Sequence, residues 1–211
     1  MDKLIKVLQE NLGYKVFGPY IVDAVNYGVP QFRKRLILLC SRDDIPLLSV
    51  PETTHTSPKE VHRNGKPEWR TVRDAFDGIH RLAAGKKSRT DSLHQARKHT
   101  ELNLERLKHI PKNGGSRHSL PEHLQLACHK KGTGYYDVYG RMNFSRPANT
   151  LTTGCTNFTK GRYAHPTANR AITPREAARL QTFPDTYKFV GNYDQISMQI
   201  GNAVPVGLAE A

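Results

Sequence analysis

The sequence predicts an α/β protein made of three zones: the end of a layered sheet, a small loop-rich region and a set of C-terminal helices. A continuous apolar run of strand length, Leu36–Cys40, indicates a buried strand in the first zone. Hydrophobic periodicity is weak in the middle of the chain, which is rich in proline, glycine, histidine and basic residues. Helix-start residues cluster around Thr173 in the last zone. We therefore divide the chain into residues 1–43, 44–140 and 141–211.

The first zone has the pattern of one helix followed by two strands. Asp2 is placed to cap a helix that stops at Gly13. Its apolar residues would share one face, and they are Leu4, Ile5, Leu8 and Leu12. The segment Tyr14–Tyr20 then has the composition of a short strand. Because the run at Leu36–Cys40 is apolar on both faces, it predicts a central strand covered by helices, and hence the last α/β unit of a larger sheet.

The third zone carries the clearest local signal. Thr173 is a candidate N-cap, Pro174 takes the first helical position, and Glu176 completes a capping box. The helix would stop before Pro184. A second helix is predicted after the segment Gly201–Pro205.

Charge is concentrated in the second half of the middle zone. The chain has a formal net charge of +13 and a pI near 9.8, which favours a nucleic acid as partner first and an anionic membrane second. Residues 44–85, with a candidate helix inside Trp69–Leu82, balance six basic against six acidic side chains. Residues 86–131 hold eleven basic and four acidic ones, a balance of +7. This excess predicts DNA contacts by Lys86, Lys87, Lys130 and Lys131.

Several classes of protein are disfavoured by composition. No apolar run approaches the ~20 residues that span a bilayer, and Met1–Glu10 lacks the features of a signal peptide. We therefore expect a cytoplasmic protein with no membrane partner. The three cysteines, Cys40, Cys128 and Cys155, are odd in number and widely spaced, so no disulfide framework is predicted. Cys128 and its neighbour His129 are adjacent and have no second pair at ligand spacing, so no metal site is predicted either.

The segment Tyr27–Arg35, with the sequence YGVPQFRKR, is the first candidate functional motif. Arg33 and Arg35 are two positions apart at the start of an apolar strand, so their side chains would point the same way. One interpretation is that both bind a carboxylate or a phosphate through forked hydrogen bonds. The alternative is a pair of surface arginines at a strand end.

The context of this segment resembles the eighth conserved motif of DNA cytosine-5 methyltransferases. Arg146–Thr153 (RPANTLTT) resembles the ninth motif, and Gln199–Pro205 (QIGNAVP) resembles the tenth. The stretch from His165 to Pro184 is typical of the family between those two motifs. Four matches in the family's order cover almost the whole chain. The resemblance implies the end of a Rossmann-like methyltransferase sheet, a small target-recognition domain and C-terminal helices.

The resemblance also assigns roles to residues. Arg35 would approach the carbonyl oxygen of the target cytosine, while Gln31 and Arg33 would support the pocket and nearby phosphates. The tenth motif touches S-adenosyl-L-methionine in the family, so that cofactor is expected to contact Asn202, Ala203 and Val204.

Double-stranded DNA is the partner that the resemblance implies, and two further arginines are candidates to contact it. Arg117 lies in Asn113–His118, where glycines would let the backbone approach DNA closely. Arg146 opens the ninth-motif segment. For each residue taken singly, a solvated loop remains the commoner alternative.

Three of the family's motifs do not occur in this sequence. It contains no Phe-x-Gly-x-Gly cofactor loop, no Pro-Cys and no Glu-Asn-Val, so the nucleophilic cysteine and the catalytic glutamate are absent. We expect a second chain or a missing N-terminal half to carry them, because both ends of the chain look cut. The chain alone is predicted to be inactive, as a fragment or as one subunit of a split bacterial restriction-modification enzyme. The alternative is a catalytically dead remnant that still binds DNA; the ordered motifs argue against an unrelated nucleic-acid-binding protein.

Overall fold

In the first zone, a helical segment leads into a pair of strands. The computed structural model describes residues 1–42, 44–46, 49–130 and 135–211. Helix α1 spans Asp2–Lys6 and continues as a π-helical turn, Val7–Asn11. Gly13 follows with a φ of 67°, which glycine adopts without steric cost, so the predicted stop is confirmed. The predicted cap is wrong: Met1 occupies the N-cap, and Asp2 is already the first helical residue.

Strands β1 (Lys15–Asp23) and β2 (Lys34–Ser41) pair antiparallel, with Ile21 opposite Leu36. Both strands are longer than the sequence predicted. Within the described residues β2 pairs with β1 alone. The side chains of Ile21 and Leu36 remain 74% and 51% exposed. These apolar side chains are open to solvent in this chain, and the central strand of a larger sheet stays a prediction.

Within its described residues, the loop-rich middle zone contains four short α-helices. They are α2 (Val61–Asn64), α3 (Val72–Phe76), α4 (Glu101–Lys108) and α5 (Ala127–Lys130). The helix predicted inside Trp69–Leu82 is confirmed, but it covers only the five residues of α3. A capping box between Thr71 and Asp74 starts it, and Gly78 follows its end with a φ of 68°.

The C-terminal zone contains α6 (Pro174–Leu180), α7 (Tyr193–Asn202) and α8 (Val206–Ala209). The start of α6 is confirmed in detail. The Thr173 hydroxyl accepts a hydrogen bond from the Glu176 amide, and the Glu176 carboxylate accepts one from the Thr173 amide. Helix α8 is the helix predicted after Pro205. The sequence analysis missed α7, although the capping box between Asn192 and Gln195 was visible in the sequence.

The main hydrophobic core joins α3, α6 and α7. Its buried members include Val72, Phe76, Leu151, Ala177, Leu180 and Ile200. This core crosses the boundary placed between residues 140 and 141, and the division into three zones remains a prediction. A smaller cluster packs α8 against the first zone; its members are Val22, Ala24, Tyr27, Val29 and Leu208. None of the helices in the described ranges is long and apolar enough to cross a membrane.

Candidate functional site

Gln31 connects three segments that are far apart in the sequence. Its side chain is fully buried. Its Nε2 donates to the Leu180 carbonyl (3.3 Å) and to Gln181 Oε1 (3.0 Å). Its Oε1 accepts from the Leu151 amide (2.9 Å) and from Arg33 Nη1 (3.4 Å). Because a buried polar group that loses its partners is costly, this network fixes the relative positions of the eighth- and ninth-motif segments and α6.

Arg33 extends this network to the end of α7. Its guanidinium is 3% exposed and donates to the carbonyls of Leu151 (2.6 Å), Gly201 (2.9 Å) and Ala203 (3.0 Å). Burial, and then the positive charge of Arg35, lowers the pKa of Arg33 to about 10. The interpretation that Arg33 binds a carboxylate or a phosphate is wrong: main-chain carbonyls and Gln31 occupy both of its terminal nitrogens.

Arg35 lies on β2, two residues further along, in a different environment. Its side chain is only half-buried, and its Nη1 donates to the Lys34 carbonyl (2.7 Å). Its other side-chain nitrogens make no hydrogen bond to the described residues, so they remain open to a ligand. The two arginines therefore differ in role. Arg33 binds main-chain carbonyls, whereas Arg35 is available at the surface to bind a ligand.

The end of α7 approaches the ninth-motif backbone so closely that only glycine fits there. A Cβ on Gly201 would lie 2.2 Å from the carbonyl oxygen of Thr152. The neighbouring Ile200 carbonyl accepts a hydrogen bond from Gln181 Nε2 (2.6 Å). These contacts fix the tenth-motif segment against the same network that holds Gln31.

The three predicted cofactor contacts lie together where α7 ends. Asn202 is the last residue of the helix and is exposed, while Ala203 is half-buried and its carbonyl accepts a hydrogen bond from Arg33. Val204 is 54% exposed. An exposed apolar side chain beside an exposed amide suits one wall of a site for a ligand with polar and apolar parts. These residues are thus compatible with S-adenosyl-L-methionine as one wall of its site.

The ninth-motif segment runs beside the eighth. The Phe32 amide donates to the Ala148 carbonyl (2.8 Å), and the Ala148 amide donates to the Pro30 carbonyl (2.9 Å). The Thr150 hydroxyl donates to the Phe32 carbonyl (2.7 Å). The segment that opens with Arg146 is therefore fixed to the backbone that leads into Arg35.

The predicted DNA contacts fall into different environments. Lys86, Lys87 and Arg146 are exposed. Arg117 is only 6% exposed, with its guanidinium 5.8 Å from the centre of the Tyr136 ring. Its side chain packs against the loop that carries Tyr136, and its role as a DNA contact stays a prediction. The side chain of Lys130 and all of Lys131 lie outside the described residues.

Sequence reasoning missed a buried ion pair beneath the site. Arg170 and Glu176 are each 1% exposed and form two hydrogen bonds, of 2.8 and 2.7 Å. Burial by itself would raise the pKa of Glu176, but the hydrogen bonds and charge of Arg170 outweigh it, and the pKa lies below its usual value. The capping box predicted a structural role for Glu176, whereas no local sequence pattern indicates that Arg170 is its partner.

Arg141 is a second buried cation that the sequence analysis missed. It is 1% exposed, and its guanidinium donates to four main-chain carbonyls and to Asn169 Oδ1. Burial lowers its pKa to about 10. Arg141 thereby holds the segment before the ninth motif in place.

The described cysteines differ in accessibility. Cys155 is fully buried, and burial raises the pKa of its thiol to about 12, so the thiol stays protonated. Cys128 is exposed and Cys40 is half-buried. Within the described ranges no group of three or more histidine, cysteine, aspartate and glutamate side chains is arranged to hold a metal ion.

The family model for C-5 cytosine-specific DNA methylases matches residues 1–211. The chain belongs to this family. It is 41% identical over 207 residues to the type II methylase M.HgiDII of Herpetosiphon aurantiacus, covering 94% of this chain and 54% of that protein. It is 35% identical over 202 residues to the type II methyltransferase M1.HphI of Haemophilus parahaemolyticus, covering 96% of this chain and 48% of that one. The chain thus spans about half the length of these curated relatives.

Solved structures place the chain in the family's fold. A putative DNA modification methyltransferase encoded within a prophage of E. coli superposes with a TM-score of 0.66 at 21% identity, covering 99% of this chain and 61% of that one. The Dnmt2 methyltransferase of S. pombe superposes with a TM-score of 0.54 at 17% identity, covering 99% and 58%. The methyltransferase fold predicted from the motifs is confirmed at this level.

Proposed function

We propose that this chain is the DNA-recognition part of a DNA cytosine-5 methyltransferase that acts on duplex DNA. The observation that carries the proposal is the network of Gln31 and Arg33, which ties the eighth, ninth and tenth motif segments together. It leaves Arg35 available on one side and Val204 exposed on the other. In a cytosine-5 methyltransferase, these two positions would face the target base and the cofactor.

In the proposed reaction, this chain positions the substrates and does not supply the attacking group. When bound, S-adenosyl-L-methionine supplies the methyl group. Asn202, Ala203 and Val204 would form one wall of its site, and Arg35 would donate to the carbonyl oxygen of a cytosine flipped out of the duplex. The nucleophilic cysteine and the glutamate would come from a second polypeptide segment, because this sequence contains neither Pro-Cys nor Glu-Asn-Val.

A second candidate function is a DNA-binding remnant without catalysis. The absence of both catalytic motifs from this sequence favours it. The two candidates differ in one respect only: whether a complementary segment restores methyl transfer.

The test is methyl transfer with labelled S-adenosyl-L-methionine and duplex DNA. We expect no label in cytosine with this chain alone, and label above background when the N-terminal half of a relative such as M.HgiDII is added. A complementing half whose Pro-Cys cysteine is replaced by serine is the matched control and should give none. Incorporation by this chain alone would contradict the proposal that a second segment supplies the nucleophilic cysteine and the glutamate. DNA binding without any restored transfer would support the remnant.

The role of Arg35 is tested in the same reconstituted enzyme. Arg35→Lys should slow single-turnover methylation by roughly 10- to 150-fold, because one charge-assisted hydrogen bond of about 1.5–3 kcal/mol is lost at the flipped base. Duplex affinity should change much less, since it comes from phosphate contacts elsewhere. An unchanged single-turnover rate would show that Arg35 has only a structural role.

A further inference from the structure

We propose that a cavity beside the ninth-motif segment binds one sugar–phosphate unit of a DNA strand, with Arg146, Arg162 and Asn149 as its contacts. This inference rests on the proposed function, because it names where the DNA backbone would be held. Arg162 and Asn149 were not among the DNA-binding residues that the sequence predicted.

The shape of the cavity suits a group of nucleotide size. It has a volume of about 310 Å³ and lies between the turn at Gly114 and residues 141–149, with Arg162 on one side. That volume is at the lower end of the range for small-ligand sites. Gly114 has a φ of 106°, and a Cβ there would lie 3.2 Å from the side-chain amide nitrogen of Asn143. Glycine at this position therefore leaves room for the amide at the cavity wall.

The charge of the cavity favours an anion. Three arginines line it, namely Arg141, Arg146 and Arg162. Among the described residues, one carboxylate contacts these lining side chains, that of Asp137. Arg141 is balanced by carbonyl groups and an amide oxygen rather than by a carboxylate. Three cations beside one carboxylate give a local positive excess, which attracts a phosphate.

The side chains that line the cavity are held in place by hydrogen bonds, and some of their hydrogen-bond donors remain unused. Arg162 Nε donates to Asp137 Oδ1 (2.9 Å), and its Nη1 donates to three main-chain carbonyls at 3.1–3.2 Å. Its Nη2 makes no hydrogen bond to the described residues. Asn149 Nδ2 donates to Asp137 Oδ2 (3.1 Å) with one of its two protons. Arg146 is exposed and likewise has no hydrogen-bond partner for its guanidinium in the described ranges. A forked guanidinium is well suited to phosphate oxygens.

The position of the cavity suits a strand that also delivers the target base. Ala148, on the cavity wall, exchanges main-chain hydrogen bonds with Pro30 and Phe32. The same backbone continues into β2 and Arg35. A phosphate held at the cavity would therefore be fixed relative to the proposed base-contacting arginine by a rigid connection.

The experiment measures the affinity of the full chain for a labelled duplex at several salt concentrations. Arg146→Gln and Arg162→Gln should each weaken binding about tenfold at 0.1 M salt and reduce the slope of log affinity against log salt by about 1, because one phosphate contact is lost. Asp137→Asn should act in the opposite direction and tighten binding. It removes the opposing charge, while the amide oxygen still accepts a hydrogen bond from Arg162 Nε. A purely structural role for these residues predicts a loss in all three variants.

Arg63→Gln is the matched control, because it removes the same charge from an exposed position on α2 away from the cavity. If the wild type binds DNA but both cavity variants match Arg63→Gln, the proposed site is wrong while the proposed function stands. If the wild type does not bind duplex DNA, both fail. Because the side chain of Arg146 makes no hydrogen bond to the described residues, Arg146→Gln keeps the test valid even if Arg162→Gln misfolds.

A parallel thermal-unfolding series with inorganic phosphate separates two sources of the anion. A cavity that serves DNA should show the losses of duplex affinity described above, whether or not free phosphate raises the Tm. Stabilisation of the wild type by phosphate, combined with unchanged duplex affinity in both arginine variants, would indicate a site for free phosphate and would overturn the assignment to DNA.

Discussion

The first and last parts of this chain use the same kinds of apolar side chain with opposite results. On the β1–β2 pair, Ile21 and Leu36 are 74% and 51% exposed. In the C-terminal core, Leu180 and Ile200 are fully buried. Apolar composition therefore indicates that a surface needs a partner, but it does not tell whether that partner is present within the same chain. The α6–α7 region supplies its own partners, and the sheet face does not.

The polar groups of the two regions differ in the same way. In the C-terminal region a buried cation, Arg170, meets a buried carboxylate, Glu176. On the first region the described ion pairs are exposed, as between Arg42 and Asp44, each 65% exposed. The ion pair of the C-terminal region is thus shielded from water, whereas the described ion pair at the end of the first region is exposed to it.

The largest effect should come from breaking the buried pair. Arg170→Ala leaves Glu176 charged and buried without its partner, so the free energy of unfolding should fall by about 3–5 kcal/mol. The matched change at the surface, Arg42→Ala, should cost at most about 1 kcal/mol. Chemical denaturation of the two variants checks this. Equal losses would show that the two regions do not differ in their dependence on ion pairs.

A second pair of variants compares the two apolar surfaces directly. Ile200→Ala should lower the free energy of unfolding by about 2–5 kcal/mol, because it opens a cavity in the core. Ile21→Ala should change it by about 0.5 kcal/mol or less, because that side chain is already exposed. The measurement is again denaturant unfolding. A large loss in Ile21→Ala would mean that the sheet face is covered in solution, for example by self-association, which sedimentation would detect.

The third comparison concerns pH. His165 Nδ1 accepts hydrogen bonds from the amides of Thr167 (3.2 Å) and Ala168 (3.0 Å), so the neutral ring is required. Burial lowers the pKa of His165 to about 4, against an ordinary value of 6.5. The neutral ring's contribution is therefore complete above about pH 6.5 and is lost as pH falls towards 4.

His165→Asn separates this effect from other acid-sensitive groups. Its side-chain oxygen can accept from the same two amides and does not titrate in this range. The free energy of unfolding of this variant should fall less between pH 6.5 and 4 than that of the wild type, although at pH 7 it should be lower, because asparagine loses the ring contacts with Phe76 and Phe144. Identical pH profiles would assign the acid sensitivity to other groups, such as Glu176.

Local features were predictable from the sequence, and long-range ones were not. The start of α6 could be predicted because Thr173, Pro174 and Glu176 act within one helical turn. The main-chain partners of Arg33 could not, because they lie 118 to 170 residues away. The burial of Arg117 was missed because the loop pattern around it contains nothing that announces the Tyr136 ring. Motif order predicted the family, but only the fold shows that main-chain carbonyls hold the Arg33 guanidinium.

The close approach at Gly201 has a consequence for how this segment tolerates mutation. Every codon change that replaces a glycine adds at least a Cβ, and here that atom would lie 2.2 Å from the Thr152 carbonyl oxygen. Every substitution of Gly201 would therefore be damaging, even the substitution by alanine. Its neighbour Asn202 is exposed and is free of this constraint. The backbone of a distant segment therefore restricts position 201 to glycine, whereas a change at Asn202 is limited only by that residue's proposed contact with the cofactor.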